Sequence, residues 1–256
     1  MNIKNIKSRI RHQLINNLIK VDDVISVTLV GSFVDKQSLE GISDIDTIVI
    51  CSKLTKSIFE SCLQSIKLID LKKCGLENYN LIVNTTFGPL KFNVAKQVVI
   101  HLMIYDLQSH KRHVLCSPFT CLDWERSTVY AGMSLKTIFP SGLLQYRDFF
   151  EIRRRIDHYL MDLKKNAISY REYDFQDEKV FETKKTKQLD NKHKGEFAYH
   201  IIRNLISNYL KLDKIKNDYF SNHQIKIEIL RLLKESSGGH NHNFHLLNLV
   251  KGKTGD

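Results

Sequence analysis

Apolar residues recur along this chain at spacings that change from helical to extended and back. Ile3, Ile6, Ile10, Leu14 and Leu18 fall three and four apart, which predicts an amphipathic helix with its lysines and arginines facing outward. Val24 to Val30 is a β-branched run that stops at Gly31-Ser32, and it predicts a strand. A second short strand is expected over Ile45 to Ile50. Helical spacing returns through Ile58, Phe59, Cys62, Leu63 and Ile66, within Leu54 to Leu68. Tyr79 to Phe92 suggests a hairpin turning through Asn84-Thr85-Thr86-Phe87-Gly88-Pro89, and Val98 to Tyr105 forms the strongest strand pattern in the chain.

The character changes near Phe139. Leu144, Phe149, Ile152, Ile156, Tyr159, Leu160 and Leu163 suit a long helix, and Phe197 to Leu212 and Gln224 to Lys234 suit two more. Between them, residues 171–195 are charged and poor in aliphatic side chains, which predicts an exposed or mobile connection. The expected fold class is therefore α/β or α+β: a mixed sheet covered by helices over 1–138, followed by a helical domain over 139–256.

Composition narrows the partners. The chain carries 39 Lys+Arg against 28 Asp+Glu, a net charge of +11, which favours anionic ligands such as nucleoside triphosphates. The lysines are scattered, with no basic stripe interleaved with stacking aromatics, so nucleic acid is a weaker expectation. Five cysteines without Cys-x-x-Cys spacing read as reduced thiols of a cytoplasmic protein. No apolar run is long enough to span a bilayer, and the N-terminus lacks the apolar core of a secretory signal.

The chemistry concentrates in Val30-Gly31-Ser32, a linker from Phe33 to Ser43, and Asp44-Ile45-Asp46. A glycine at a strand end lets the chain turn tightly and lets a phosphate approach the backbone. The N–H groups of such a turn, with the Ser32 hydroxyl, can cradle an anion. Asp44 and Asp46, two apart at the start of a strand, are expected to share a face. Two adjacent carboxylates call for a cation, and Mg2+ takes hard oxygen ligands while keeping bonds to phosphates.

Gly-Ser at a strand end followed by Asp-x-Asp entering an apolar strand resembles the signature of the DNA polymerase beta-like nucleotidyltransferase superfamily. The resemblance covers about residues 24–50. It implies transfer of a nucleoside monophosphate from an NTP such as ATP to an acceptor, with Gly31 and Ser32 contacting the triphosphate and Asp44 and Asp46 binding magnesium. The helical second half is similar in layout to small-molecule nucleotidyltransferases of the kanamycin-modifying type.

The family's third carboxylate, on a later strand, has no direct counterpart: the matching position holds His101, and the nearest acid is Asp106. His101 is thus a candidate base or metal ligand, and Asp106 a candidate metal ligand. The departure also opens an alternative, a catalytically weakened nucleotide-binding or antitoxin-like regulatory protein on the same fold. Weaker candidates are Arg153, Arg154 and Arg155, which cannot all face one ligand from a helix, and the terminal His240, His242 and His245.

Overall fold

The computed structural model describes residues 3–37, 39, 42–88, 96–142, 144–145, 148 and 157–213. Helix α1 spans Ile3–Leu18 and buries Ile6, Ile10, Leu14 and Leu18 of the predicted stripe, while Ile3 at its start is exposed. Strand β1 covers Val24–Val30, the short helix α2 Ser32–Asp35, strand β2 Ile45–Cys51 and helix α3 Lys56–Lys67. The Thr55 side chain caps α3 by accepting from the Ile58 N–H. Strand β3 is Asn80–Asn84 and β4 is Gln97–Asp106; helices α4 (Leu107–Cys116) and α5 (Pro118–Glu125), strand β5 (Tyr130–Gly132) and helix α6 (Leu135–Ile138) follow.

The five strands form one mixed sheet in the order β3-β4-β2-β1-β5. β2 and β3 each run parallel to β4, whereas β1 is antiparallel to both β2 and β5. The fold is α+β, as the alternation of patterns predicts. Strand periodicity separates two cores. Ile45, Val49 and Cys51 of β2 and Ile100, Leu102 and Ile104 of β4 meet α1 and α3 on one face. Ile48, Ile50, Met103 and Tyr105 meet Val114 of α4 and Cys121 and Trp124 of α5 on the other.

One expectation is corrected and another is only partly visible. The first arm of the predicted 79–92 hairpin is β3, which pairs parallel with β4; the second arm of that hairpin lies outside the described residues. Residues 171–195 contain no long loose connection: β6 (Ala167–Gln176) and β7 (Lys179–Gln188) form a two-stranded hairpin, with helix α7 (157–164) before it and α8 (Asn191–Asp213) after it. Its charges face solvent, while Tyr173, Phe175 and Val180 pack on the core that holds α3. Phe59 meets the rings of Tyr173 and Phe175 at 6.0 and 4.9 Å. Ser57 donates to Glu178 through its N–H at 3.1 Å and its hydroxyl at 3.0 Å.

The chain accordingly divides into two compact units, 1–142 with 170–185, and 143–169 with 186–256. A single cut at 138 would separate β6 and β7 from the core they cover. In the second unit Tyr159 packs edge-on against Phe197 at 5.5 Å, and Asp190 caps the start of α8 by accepting from the His193 N–H at 2.8 Å. The predicted Gln224–Lys234 helix, Arg153 to Arg155, and His240, His242 and His245 lie outside the described residues.

β3 pairs with β4 only as far as Asn84 and His101. Beyond that point the Tyr173 hydroxyl donates to the Ile104 carbonyl at 2.8 Å, satisfying a group of β4 where its neighbouring strand has ended. Tyr173→Phe keeps the ring packing and removes only this bond. It should cost about 1 kcal/mol in urea unfolding, and a variant as stable as wild type would show that the bond contributes nothing.

Candidate functional site

Asp46 and His101 are direct partners in the parallel register of β2 and β4, so both side chains leave the same face of the sheet. Along that face they are followed by Ile48 beside Met103 and Ile50 beside Tyr105. One polar pair thus ends the apolar rows of β2 and β4 on this face. On the opposite flank Val30 pairs with Asp46, and the chain turns immediately at Gly31. Gly31 has φ 73° and ψ −158°, a conformation essentially confined to glycine. A Cβ there would stand 2.6 Å from Asp46 Oδ2. The glycine therefore serves the carboxylate, letting it lie against bare backbone.

Asp44 immediately precedes β2 and accepts from the Ser43 hydroxyl at 2.7 Å. The ligand atoms of Asp44, Asp46 and His101 all lie within 4.8 Å of one another, and the three residues are half-buried. His101 is held from both sides: Nδ1 is 2.8 Å from Asp46 Oδ1 and Nε2 is 2.8 Å from the Thr86 carbonyl oxygen. A carbonyl oxygen only accepts, so Nε2 carries a proton. Thr86 is itself oriented, because Asn84 Oδ1 accepts from its N–H at 3.0 Å and its hydroxyl at 2.8 Å. Burial works to lower the His101 pKa, but the hydrogen bond and charge of Asp46, the Thr86 carbonyl and the charge of Asp44 together raise it. When the imidazole is protonated, it and Asp46 form an ion pair across this 2.8 Å contact.

The hairpin absent from the sequence-based picture reaches this network. Phe87 and Arg171 exchange backbone hydrogen bonds, Phe87 N–H to Arg171 O at 2.7 Å and Arg171 N–H to Phe87 O at 2.8 Å. The residue next to Thr86 is thereby tied to β6. Asn84 and Thr86 were legible only as turn residues, and nothing in their spacing marks them as supports of His101.

Asp106 is not brought to the site. It pairs with Cys51, five residues along β4 from His101 and so about 16 Å away along the strand. There it caps α4: its carboxylate accepts from the Ser109 N–H at 2.6 Å, and its own N–H donates to Ser109 Oγ at 2.9 Å. The expected metal ligand is a helix cap. Ser32 begins α2 directly after Gly31. Beside α2 lies a depression of about 250 Å³ with Lys4, Lys7 and Arg11 of α1 on one wall and Phe33, Val34 and Lys36 on the other. The Lys7 ammonium donates to the Lys36 carbonyl and sits 5.1 Å above the Phe33 ring. Desolvation lowers its pKa, against the raising effect of Asp35.

None of the five cysteines forms a disulfide, and burial pushes the thiols of Cys51 and Cys62 up to about 12, which keeps them protonated. Among the described residues the Asp44, Asp46 and His101 trio is the one grouping suited to a metal ion, and no helix is long and apolar enough to cross a membrane. Compared with known proteins, the chain matches no family model, no curated protein and no solved structure.

Proposed function

We propose that this protein is a cation-dependent nucleotidyltransferase that moves a nucleoside monophosphate from an NTP to an acceptor. The observation that carries the reading is the placement of Asp46, half-buried between the Gly31 turn and His101, with Asp44 beside it. In this reaction an acceptor oxygen attacks the α-phosphorus, the bond to the bridging oxygen of the β-phosphate breaks, and pyrophosphate leaves. A divalent cation, magnesium in the family that the motif resembles, neutralises phosphate charge when bound.

The chain's own residues divide the work. Asp44 and Asp46 supply two hard oxygen ligands that fit such a cation. The Gly31-Ser32 turn offers backbone at close quarters to the triphosphate, and the lysines and arginine flanking α2 suit an anionic substrate. His101 has both ring nitrogens engaged, so it holds Asp46 or a cation and is not placed to take the acceptor's proton. A base from elsewhere, or the acceptor itself, serves that step.

A second reading has one specific observation in its favour. Among the described residues no third carboxylate joins the trio, which suits a protein that binds nucleotide with weakened turnover and acts in regulation. Titrating ATP, GTP, CTP and UTP, with and without magnesium, into wild type and the Asp44→Ala/Asp46→Ala variant tests both. Cation-dependent binding lost in the folded double variant supports the site, and pyrophosphate release with an acceptor then separates transferase from sensor. If no nucleotide binds wild type, both readings fall.

A further inference from the structure

We propose that His101 makes the trio a mixed carboxylate–imidazole centre, in which its Nδ1 completes a site for a transition-series divalent cation in preference to magnesium. This deepens the cation site of the proposed function but does not depend on nucleotidyl transfer. Three observations carry it. The Thr86 carbonyl fixes the proton on Nε2, so the Nδ1 lone pair of the neutral ring is directed at Asp46. A histidine that ligates a metal with one nitrogen commonly donates its other N–H to a backbone carbonyl or carboxylate, which fixes its tautomer and ring plane. Here that support is built in depth, because Asn84 orients Thr86 and β6 ties down Phe87 next to it.

The second observation is separation. Nδ1 and Asp46 Oδ1 stand 2.8 Å apart, and with Asp44 all three ligand atoms lie within 4.8 Å. Two ligand atoms about 2.0–2.1 Å from one cation and roughly at right angles are about 3 Å apart, so the pair is close to the spacing a shared cation needs. The third is ligand type. Magnesium keeps to oxygen ligands and binds imidazole poorly, whereas imidazole with carboxylates suits zinc and iron among divalent ions. Register leaves no substitute for the imidazole: Asp106, the nearest acid along β4, is occupied in capping α4.

The full-length chain, freed of metal, is titrated calorimetrically with ZnCl2, MnCl2 and MgCl2 in the absence of nucleotide. Only heat that disappears in Asp44→Ala/Asp46→Ala is assigned to this site, which sets aside zinc taken up by other histidines. Almost any site binds zinc more tightly than magnesium, so the wild-type ratio alone decides nothing. The deciding quantity is its change in His101→Asp, which replaces the nitrogen ligand by a carboxylate. The proposal expects the zinc-to-magnesium affinity ratio to fall at least tenfold in that variant, with magnesium bound more tightly than by wild type. An unchanged ratio in a variant folded by circular dichroism overturns it.

Should His101→Asp not fold, X-ray absorption of wild type loaded with one equivalent of zinc decides the question, with Asp44→Ala/Asp46→Ala as control. Imidazole multiple scattering from a ligand at about 2.0 Å that is lost in the control supports the proposal, and a spectrum without an imidazole contribution sinks it. Failure of the nucleotide titration would leave these outcomes untouched, so the two readings fail separately.

Discussion

Gly31→Ala should destabilise the protein by about 1–3 kcal/mol and abolish cation-dependent binding at the Asp44–Asp46 site. Two independent costs meet at this residue. Its backbone, at φ 73° and ψ −158°, occupies a region that an L side chain enters only with strain. The added methyl carbon would also fall 2.6 Å from Asp46 Oδ2, far inside van der Waals contact. The carboxylate is the movable partner, but its other oxygen is held by His101 at 2.8 Å. Relief of the clash therefore breaks the very contact that shapes the site. Urea unfolding and zinc or magnesium titration of the same preparation report the two effects. A variant that loses stability yet binds cations like wild type would show that Asp46 has room to rotate, and the account of the site would need revision.

Stability should fall between pH 6.5 and pH 4, and His110→Leu should remove much of that fall. His110 lies on α4, is 1% exposed, and neither ring nitrogen has a hydrogen-bond partner among the described residues. Burial lowers its pKa from 6.5 to about 4. Because the folded value is depressed, the neutral ring's contribution is fully present above the unfolded value. As pH falls toward 4 the unfolded chain binds a proton that the native state refuses, and stability drops by roughly 3 kcal/mol over the window. His101 works in the opposite direction: its pKa is raised, so its contribution is present at low pH and is lost as pH rises through the folded value. That term is common to wild type and variant and cancels in their difference.

Leucine fills similar space without an unpaired polar atom, so His110→Leu should also gain about 1–3 kcal/mol at pH 7. The gap over wild type then widens on acidification. Denaturation curves at pH 7, 6, 5 and 4.5 measure it directly. Parallel dependence in the two proteins would mean that His110 finds a partner or water in solution.

α1 and α3 were legible because each carries a helical period and buries one face, and β1, β2 and β4 because each is a short, nearly continuous apolar run buried on both faces. The 171–188 hairpin was not, since its charged residues outweigh its aliphatics. Its signal was the alternation of Tyr173 and Phe175, two aromatics on one side of an otherwise polar strand. The parallel pairing of β3 with β4 was not legible, because a parallel partner is chosen by long-range packing and not by the turn that follows. Asp106 was misplaced for a related reason: a carboxylate at the end of a strand and the start of a helix serves equally as ligand or cap, and only register separates the two.

By itself the sequence determined that Gly31, Asp44 and Asp46 occupy a strand end and a strand start, because local periodicity and glycine's conformational freedom suffice for that. It also determined that position 101, on a strand of period two, would share a face with Met103 and Tyr105. What the tertiary structure alone decided is that β2 and β4 pair in the register that sets Asp46 beside His101. It decided as well that the Thr86 carbonyl, positioned by Asn84, holds the far side of the ring. Register and second contacts arise from residues 15 to 55 positions apart, and no local pattern encodes a pairing of that range.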